Sequence, residues 1–87
     1  MKVFKKGHEL KVGDYILDIG GVMVICSVDF DHMGSIAVET ARIKFSAMYS
    51  EFSAGVMRIP LILQDDAEFE IYTPTPAEAN LGMWLTA

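Results

Sequence analysis

Alternation of apolar and polar residues with a period of two, interrupted by glycine-containing turns, is the feature that most constrains the fold of this 87-residue chain. Side chains of a β-strand point to opposite faces in turn, so the alternation is typical of half-buried strands. The predicted strands cover residues 15–19, 22–30, 36–40, 42–46, 56–63 and 68–72. The chain is therefore predicted to be all-β, a small barrel or a rolled antiparallel sheet of five or six strands.

Glycine and proline positions refine this prediction. Gly20 and Gly21 tolerate the positive φ of tight hairpin turns and predict a hairpin between the first two strands. The strand over 22–30 is almost continuously apolar, which is typical of a central strand covered on both faces. Pro60 has no N–H to donate to a ladder, so its strand is predicted to lie at an edge or to carry a bulge.

Two segments leave the local structure open. Residues 42–46 alternate cleanly and either continue the strand over 36–40 or form a fourth strand. Residues 47–55 suit either a short helical turn capped by Gly55 or a bend between strands. The sequence alone does not choose between these alternatives.

The chain changes character after residue 73. Pro74 and Pro76 remove two amide donors, which indicates a linker. Thr75, Pro76 and Glu78 match a capping box, so a short helical turn is predicted from Pro76 to about Leu81, with Gly82 ending it. The predicted organisation is a barrel domain over 1–73, opened by a basic leader, followed over 74–87 by a proline-containing linker and an apolar tail.

Charge and cysteine content limit the classes of protein to which the chain can belong. Twelve acidic residues against seven basic ones give a net charge of −5, which opposes sequence-independent binding of the whole chain to nucleic acid. The leader, residues 1–11, holds four lysines and one glutamate, a local +3, so the rest carries −8. Cys26 is the only cysteine and cannot form an internal disulfide. With a longest apolar run of five residues and no signal-peptide pattern, we expect a cytoplasmic protein without a membrane span.

No complete catalytic, metal or cofactor motif appears in the sequence. Asp29, Asp31 and Gly34 occupy three positions of a calcium-binding EF-hand loop, but Met33 and Thr40 stand where two further ligands belong, so an acidic turn is predicted instead. The sequence neighbours of Cys26 are apolar, which predicts an inert core thiol. Gly20-Gly21 lacks the lysine and the helix of a phosphate-binding loop. We therefore expect that the protein is not an enzyme and that it binds no metal and no cofactor.

The apolar C-terminus is the strongest candidate for a binding site. Met83, Trp84 and Leu85 either fold back over the barrel or anchor another protein, since Trp and Met are enriched at interfaces. Exchange of tails between protomers would also make a homo-oligomer. A second candidate contact surface joins Arg58 and Phe52, with Met48, Tyr49 and Met57 beside them.

Two alternative functions follow from the charges. A nucleic-acid-binding barrel would use the cationic leader, in which Phe4 stands among Lys2, Lys5, Lys6 and Lys11. An acidic inhibitor that mimics nucleic acid would use the carboxylates of Asp65, Asp66, Glu68 and Glu70. The net charge makes a nucleic-acid partner the less favoured of these readings.

The segment from Leu10 to Leu17, LKVGDYIL, followed by Gly20-Gly21 and a valine-rich strand, resembles the opening of small SH3-like barrels. The chain as a whole resembles the short accessory proteins of bacteriophages. These resemblances imply a binding module whose function depends on its surface and its partner. The leading hypothesis is a non-enzymatic protein–protein interaction module, a phage or mobile-element accessory protein that modulates a host protein or joins an assembly.

Overall fold

The computed structural model describes residues 2–18, 20–30, 34–45 and 58–87, which form one antiparallel sheet and one α-helix. In chain order the elements are β1 (Val3–Lys6), a 3-10 turn (Gly7–Glu9), β2 (Tyr15–Asp18), β3 (Gly21–Phe30), β4 (Ser35–Phe45), β5 (Arg58–Gln64), β6 (Glu68–Ile71) and α1 (Pro76–Thr86). The strand order is β1-β6-β2-β3-β4-β5. The predicted all-β fold of five or six strands with a C-terminal helical element is confirmed, with six strands and one helix.

The turn after β1 is hydrogen-bonded to the turn between β5 and β6, and the six-stranded sheet is compatible with a barrel-like fold. Gly7 N–H donates to the carbonyl of Ala67 at 2.9 Å, and His8 N–H donates to the carbonyl of Asp65 at 2.9 Å. A β-carbon on Gly7 would overlap the Gln64 carbonyl oxygen. Only glycine lets the two backbones approach this closely.

Two clusters of buried side chains hold the sheet together, one on each face. The first, called here the sheet core, is formed by Leu10, Ile16, Met23, Ile25, Ile36 and Val38. The second, called here the helix core, is formed by Val22, Val24, Cys26, Ala41, Ile43 and Leu85. Full burial of an aliphatic side chain stabilises a fold by about 1.5–3 kcal/mol. Strand β3 contributes to both cores, which confirms its predicted central position.

A bulge in β3 changes which of its residues face each core. Met23 and Ile25 point to the sheet core, whereas Val22, Val24 and Cys26 point to the helix core. The register with β4 shifts between Ile25 and Ser27, which leaves Cys26 without a paired residue. Such an extra residue resets the alternation of faces, so Val28 packs against the sheet core again.

Three sequence predictions change in detail, and one open alternative is resolved. The basic leader does not merely precede the barrel, because residues 3–6 form the edge strand β1 against β6. Of the alternatives left open for the segment after residue 40, the continuous strand is confirmed, because β4 runs unbroken to Phe45. The hairpin turn lies one residue earlier than expected, since Asp18 pairs with Gly21. The helical turn does not end at Gly82, because α1 continues to Thr86. The edge position of Pro60 in β5 is confirmed.

Candidate interaction surface

Helix α1 begins at a complete capping box. The Thr75 hydroxyl accepts a hydrogen bond from Glu78 N–H at 3.3 Å, and the Glu78 carboxylate accepts one from Thr75 N–H at 2.8 Å. Pro76 occupies the first helical position, where a missing N–H costs nothing. The Tyr72 hydroxyl also donates to the Glu78 carboxylate at 2.8 Å, which ties the start of the helix to the end of β6. The predicted capping box is therefore confirmed.

The inner face of α1 is fixed against the sheet. Leu85 is 9% exposed and belongs to the helix core. Gly82 is buried beside Tyr15, whose Cζ would lie 2.7 Å from a β-carbon at that position. At the other end, Arg58 on β5 donates from Nη2 to the Leu85 carbonyl at 3.1 Å and to the Ala87 carbonyl at 3.5 Å. A cation at this end also complements the helix dipole.

The outer face of α1 is uncharged, mostly apolar and exposed to solvent. Trp84 is 74% exposed, Met83 is 70% exposed and Leu81 is 37% exposed. Ala77 and Asn80 are exposed beside them. The outer face, defined by these five residues, carries no charged side chain. The only charged residue of α1 is Glu78, which is half-buried and engaged by Tyr72 and Thr75.

The residues predicted to bind a partner have different environments in the structure. Met83 and Trp84 are presented to solvent, whereas Leu85 is used by the core. Arg58 caps the end of α1 through its guanidinium. Phe52 lies outside the described residues, as do Met48, Tyr49 and Met57. Asn80 and Leu81 were not predicted as part of this surface. Asn80 lies four residues and Leu81 three residues before Trp84, and this helical spacing is the signal that could have predicted them.

Lysines of the leader lie beside acidic residues of β6 across the β1–β6 ladder. Lys2 forms an ion pair with Glu70 at 3.8 Å, and the register places Lys6 opposite Glu68. Lys5 pairs with Asp14 at 3.2 Å. The +3 leader and the acidic strand therefore form a surface of mixed sign. Neither the cationic stripe of the first alternative function nor the anionic stripe of the second stands as an uninterrupted patch.

The remaining lysine and acids of these alternatives lie apart from this ladder. Lys11 N–H donates to the Asp14 carboxylate at 2.9 Å, while the Lys11 side chain is exposed. Asp65 and Asp66 form the turn between β5 and β6. The carbonyl of Asp65 lies 2.8 Å from His8 Nδ1.

Cys26 is placed where a thiol is unreactive. Its side chain is buried in the helix core, and its Sγ lies 3.8 Å from the Val24 carbonyl oxygen. Desolvation by burial raises the pKa of the Cys26 thiol, opposed in part by the nearby Arg58 cation and assisted by the Glu39 carboxylate. The thiolate is the nucleophilic form, so this environment suppresses reactivity.

The predicted acidic turn is described only in part. Asp29 is exposed near the end of β3, and residues 31–33 lie outside the described residues. Within the described ranges, no three side chains of the types His, Cys, Asp and Glu lie together as metal ligands would.

An open groove crosses the part of the sheet that α1 leaves uncovered. It has a volume of about 240 Å³ and is lined by Ser27, Asp29, Ala37, Val38, Glu39, Pro60, Leu61 and Ile62. The Ser27 hydroxyl donates to the Glu39 carboxylate at 3.1 Å, so one acid of the groove is already engaged. Small-molecule sites usually have volumes of about 300–1,000 Å³. The groove is below this range.

The comparisons with known proteins give no relative to this chain. No protein-family model, no curated protein and no solved structure matches it. Within the described residues, no helix has the length and apolar character needed to cross a bilayer.

Proposed function

We propose that this chain is a non-enzymatic protein–protein interaction module that contacts its partner through the outer face of α1. The observation that carries the proposal is the exposure of Trp84 and Met83, at 74% and 70%, on a helix whose other face is anchored. Trp is among the residues most enriched at binding hot spots, and Met is enriched at interfaces generally. Isolated exposed apolar residues are common, but a contiguous apolar face is typical of an interaction site.

Anchoring of α1 favours binding because the helix does not have to lose conformational freedom when a partner binds. A disordered tail would lose conformational freedom when a partner ordered it. Here the capping box at Thr75, the buried contact of Leu85 and the Arg58 hydrogen bonds hold the helix before any partner arrives. The Trp84 side chain is thus presented on a rigid support, which is the arrangement that gives affinity to a small surface.

The finer identity of the module is also a proposal. The barrel-like sheet of six strands is compatible with an SH3-like barrel, the family that the LKVGDYIL opening resembles. We further propose that the chain is an accessory protein of a phage or mobile element, a class that it resembles as a whole, and that it acts in the host cytoplasm on a host protein or within an assembly.

Affinity capture with matched variants tests this function. Trp84→Ala removes the largest exposed side chain of the outer face, while Ile62→Ala removes a 68% exposed apolar side chain from β5. Both variants should melt within a few degrees of the parent chain. The parent chain and Ile62→Ala should retain the same partner at equal bait concentration, and Trp84→Ala should lose most of it. Equal retention by all three chains would refute a binding role for this face.

A further inference from the structure

The exposed residues of α1 follow a size pattern that suits pairing with an identical helix. Ala77, Asn80 and Trp84 are spaced by three and four residues and therefore share one side of the helix. All three are exposed. The small residue lies toward the start of α1, the large one lies two turns later, and Asn80 lies near the midpoint between them.

We propose that a second copy of this chain covers the outer face of α1, through two antiparallel α1 helices related by a twofold axis beside Asn80. The proposal rests on the proposed function and names the partner of its surface. In this arrangement the indole of Trp84 packs over Ala77 of the partner subunit, and the reverse contact is made by symmetry. Each large side chain thus meets a small one, as the interdigitation of well-packed surfaces requires.

A parallel pair of helices would pack less well. Two indoles would meet at one end of the contact, and two alanines would leave a gap at the other. The midpoint residue suits a twofold axis because the Asn80 amide carries both a donor and an acceptor. Two such amides can therefore bond to each other without any other partner.

Charge also favours a second copy on this face. The chain carries −5, so two copies repel each other wherever their acidic surfaces meet. The outer face holds no charged side chain, because Glu78 is engaged by Tyr72 and Thr75. Two copies can therefore meet here without a like-charge pair, whereas a strongly charged partner would find no complementary group.

The small size of the face indicates a transient dimer. An aromatic residue buries about 150–250 Å² when fully covered, so Trp84, Met83 and Leu81 together expose about 400 Å² per copy. Two copies then bury about 800 Å², below the roughly 1,200–2,000 Å² of stable complexes. The dimer should therefore be transient and concentration-dependent.

Analytical ultracentrifugation of the full chain between 1 µM and 1 mM tests the pairing. Monomer should predominate at the low end and dimer at the high end. Trp84→Ala should weaken association at least tenfold, and Ile62→Ala should leave it unchanged. Trp84 is the only tryptophan, so its emission should shift to shorter wavelength in step with dimer formation. Association that survives in Trp84→Ala with an unchanged constant would overturn the proposal.

A charge exchange at Asn80 tests whether the two copies of this residue face each other. Asn80→Glu and Asn80→Lys should each weaken self-association about tenfold, because each places like charges beside the axis. An equimolar mixture of the two variants should form a mixed dimer at least as tight as that of the parent chain. Failure of the mixture to associate, while the parent chain dimerises, would place the contact elsewhere and overturn the proposal.

Ala77→Trp separates the antiparallel pair from the parallel one. The new indole fills the space that Trp84 of the partner subunit takes, so it should weaken the dimer although it adds apolar area. Stronger association would overturn the antiparallel arrangement.

The proposed function can fail separately. A chain that stays monomeric at 1 mM overturns the second-copy proposal. In that case, loss of a captured partner in Trp84→Ala alone would leave the proposed function standing.

Discussion

Gly82 lies directly against the phenol ring of Tyr15, and a β-carbon at this position would overlap the Tyr15 hydroxyl. A glycine in the middle of a helix normally costs about 1 kcal/mol relative to alanine. In α1 this cost is offset because the bare backbone lets the helix approach β2. The contact explains why Gly82 does not end the helix.

Gly82→Ala should destabilise the chain even though alanine is the better helix former. Overpacking costs about 1–3 kcal/mol, of which the helix propensity of alanine returns about 1 kcal/mol. Urea denaturation followed by circular dichroism measures the difference. Tyr15→Phe removes the closest atom, so Gly82→Ala should cost less in that background. A gain in stability from Gly82→Ala alone would contradict the contact.

Leu85→Ala and Met83→Ala form a matched pair on opposite faces of α1. Leu85→Ala should lower the free energy of unfolding by about 2–4 kcal/mol, because it opens a cavity in the helix core. Met83→Ala removes a largely exposed side chain and should change stability by less than about 0.5 kcal/mol. Chemical denaturation of both variants at a concentration where the chain is monomeric provides the comparison. Equal effects would mean that the helix is not docked as described.

Arg58→Ala should loosen the end of α1. The guanidinium donates to the Leu85 carbonyl, and loss of one such hydrogen bond costs about 0.5–1.5 kcal/mol. Amide hydrogen exchange over residues 82–86 should accelerate severalfold. Arg42→Ala serves as the control, because Arg42 pairs with Asp18 at 2.6 Å near the β2–β3 hairpin. Exchange in α1 that is unaffected by Arg58→Ala would exclude the capping role.

Stability should fall at alkaline pH through Tyr72. The hydrogen bond that its hydroxyl donates to Glu78 raises the pKa of Tyr72 above its ordinary value of 10.0, with desolvation and the negative charge of Glu78 adding to the effect. Folding holds the proton more tightly than the unfolded chain does. The stabilisation is therefore complete below the unfolded pKa and is lost as pH rises through the folded pKa.

Thermal melts between pH 8 and pH 11.5 test this dependence. The parent chain should lose stability above about pH 10, and Tyr72→Phe should lose less over the same interval because it has no hydroxyl proton to release. Tyr15, whose pKa is also raised by desolvation and by Glu78, accounts for part of the dependence that remains. Parallel pH profiles for the two chains would rule out the Tyr72 contribution.

The sequence by itself determined the local structure of this protein. Alternation predicted every strand except β1, Pro60 marked an edge strand, and the Thr75–Glu78 pair fixed the start of α1. Each of these signals acts between residues that are close in the chain. The exact ends of the elements depended on contacts from elsewhere, as the continuation of α1 beyond Gly82 illustrates.

Tertiary structure decided where the leader lysines and the apolar residues of the C-terminus lie. Residues 3–6 of the leader form strand β1 because β6, which is distant in the sequence, has an edge with which they can pair. The same pairing brings the Lys2 side chain to the Glu70 carboxylate. The apolar triplet was divided because a helix turns about 100° per residue, which buries Leu85 against Val22 and Val24 and leaves Trp84 facing outward. Pairing between distant segments leaves no periodic trace in either one, so only the folded chain shows which apolar side chains are buried and which stay exposed.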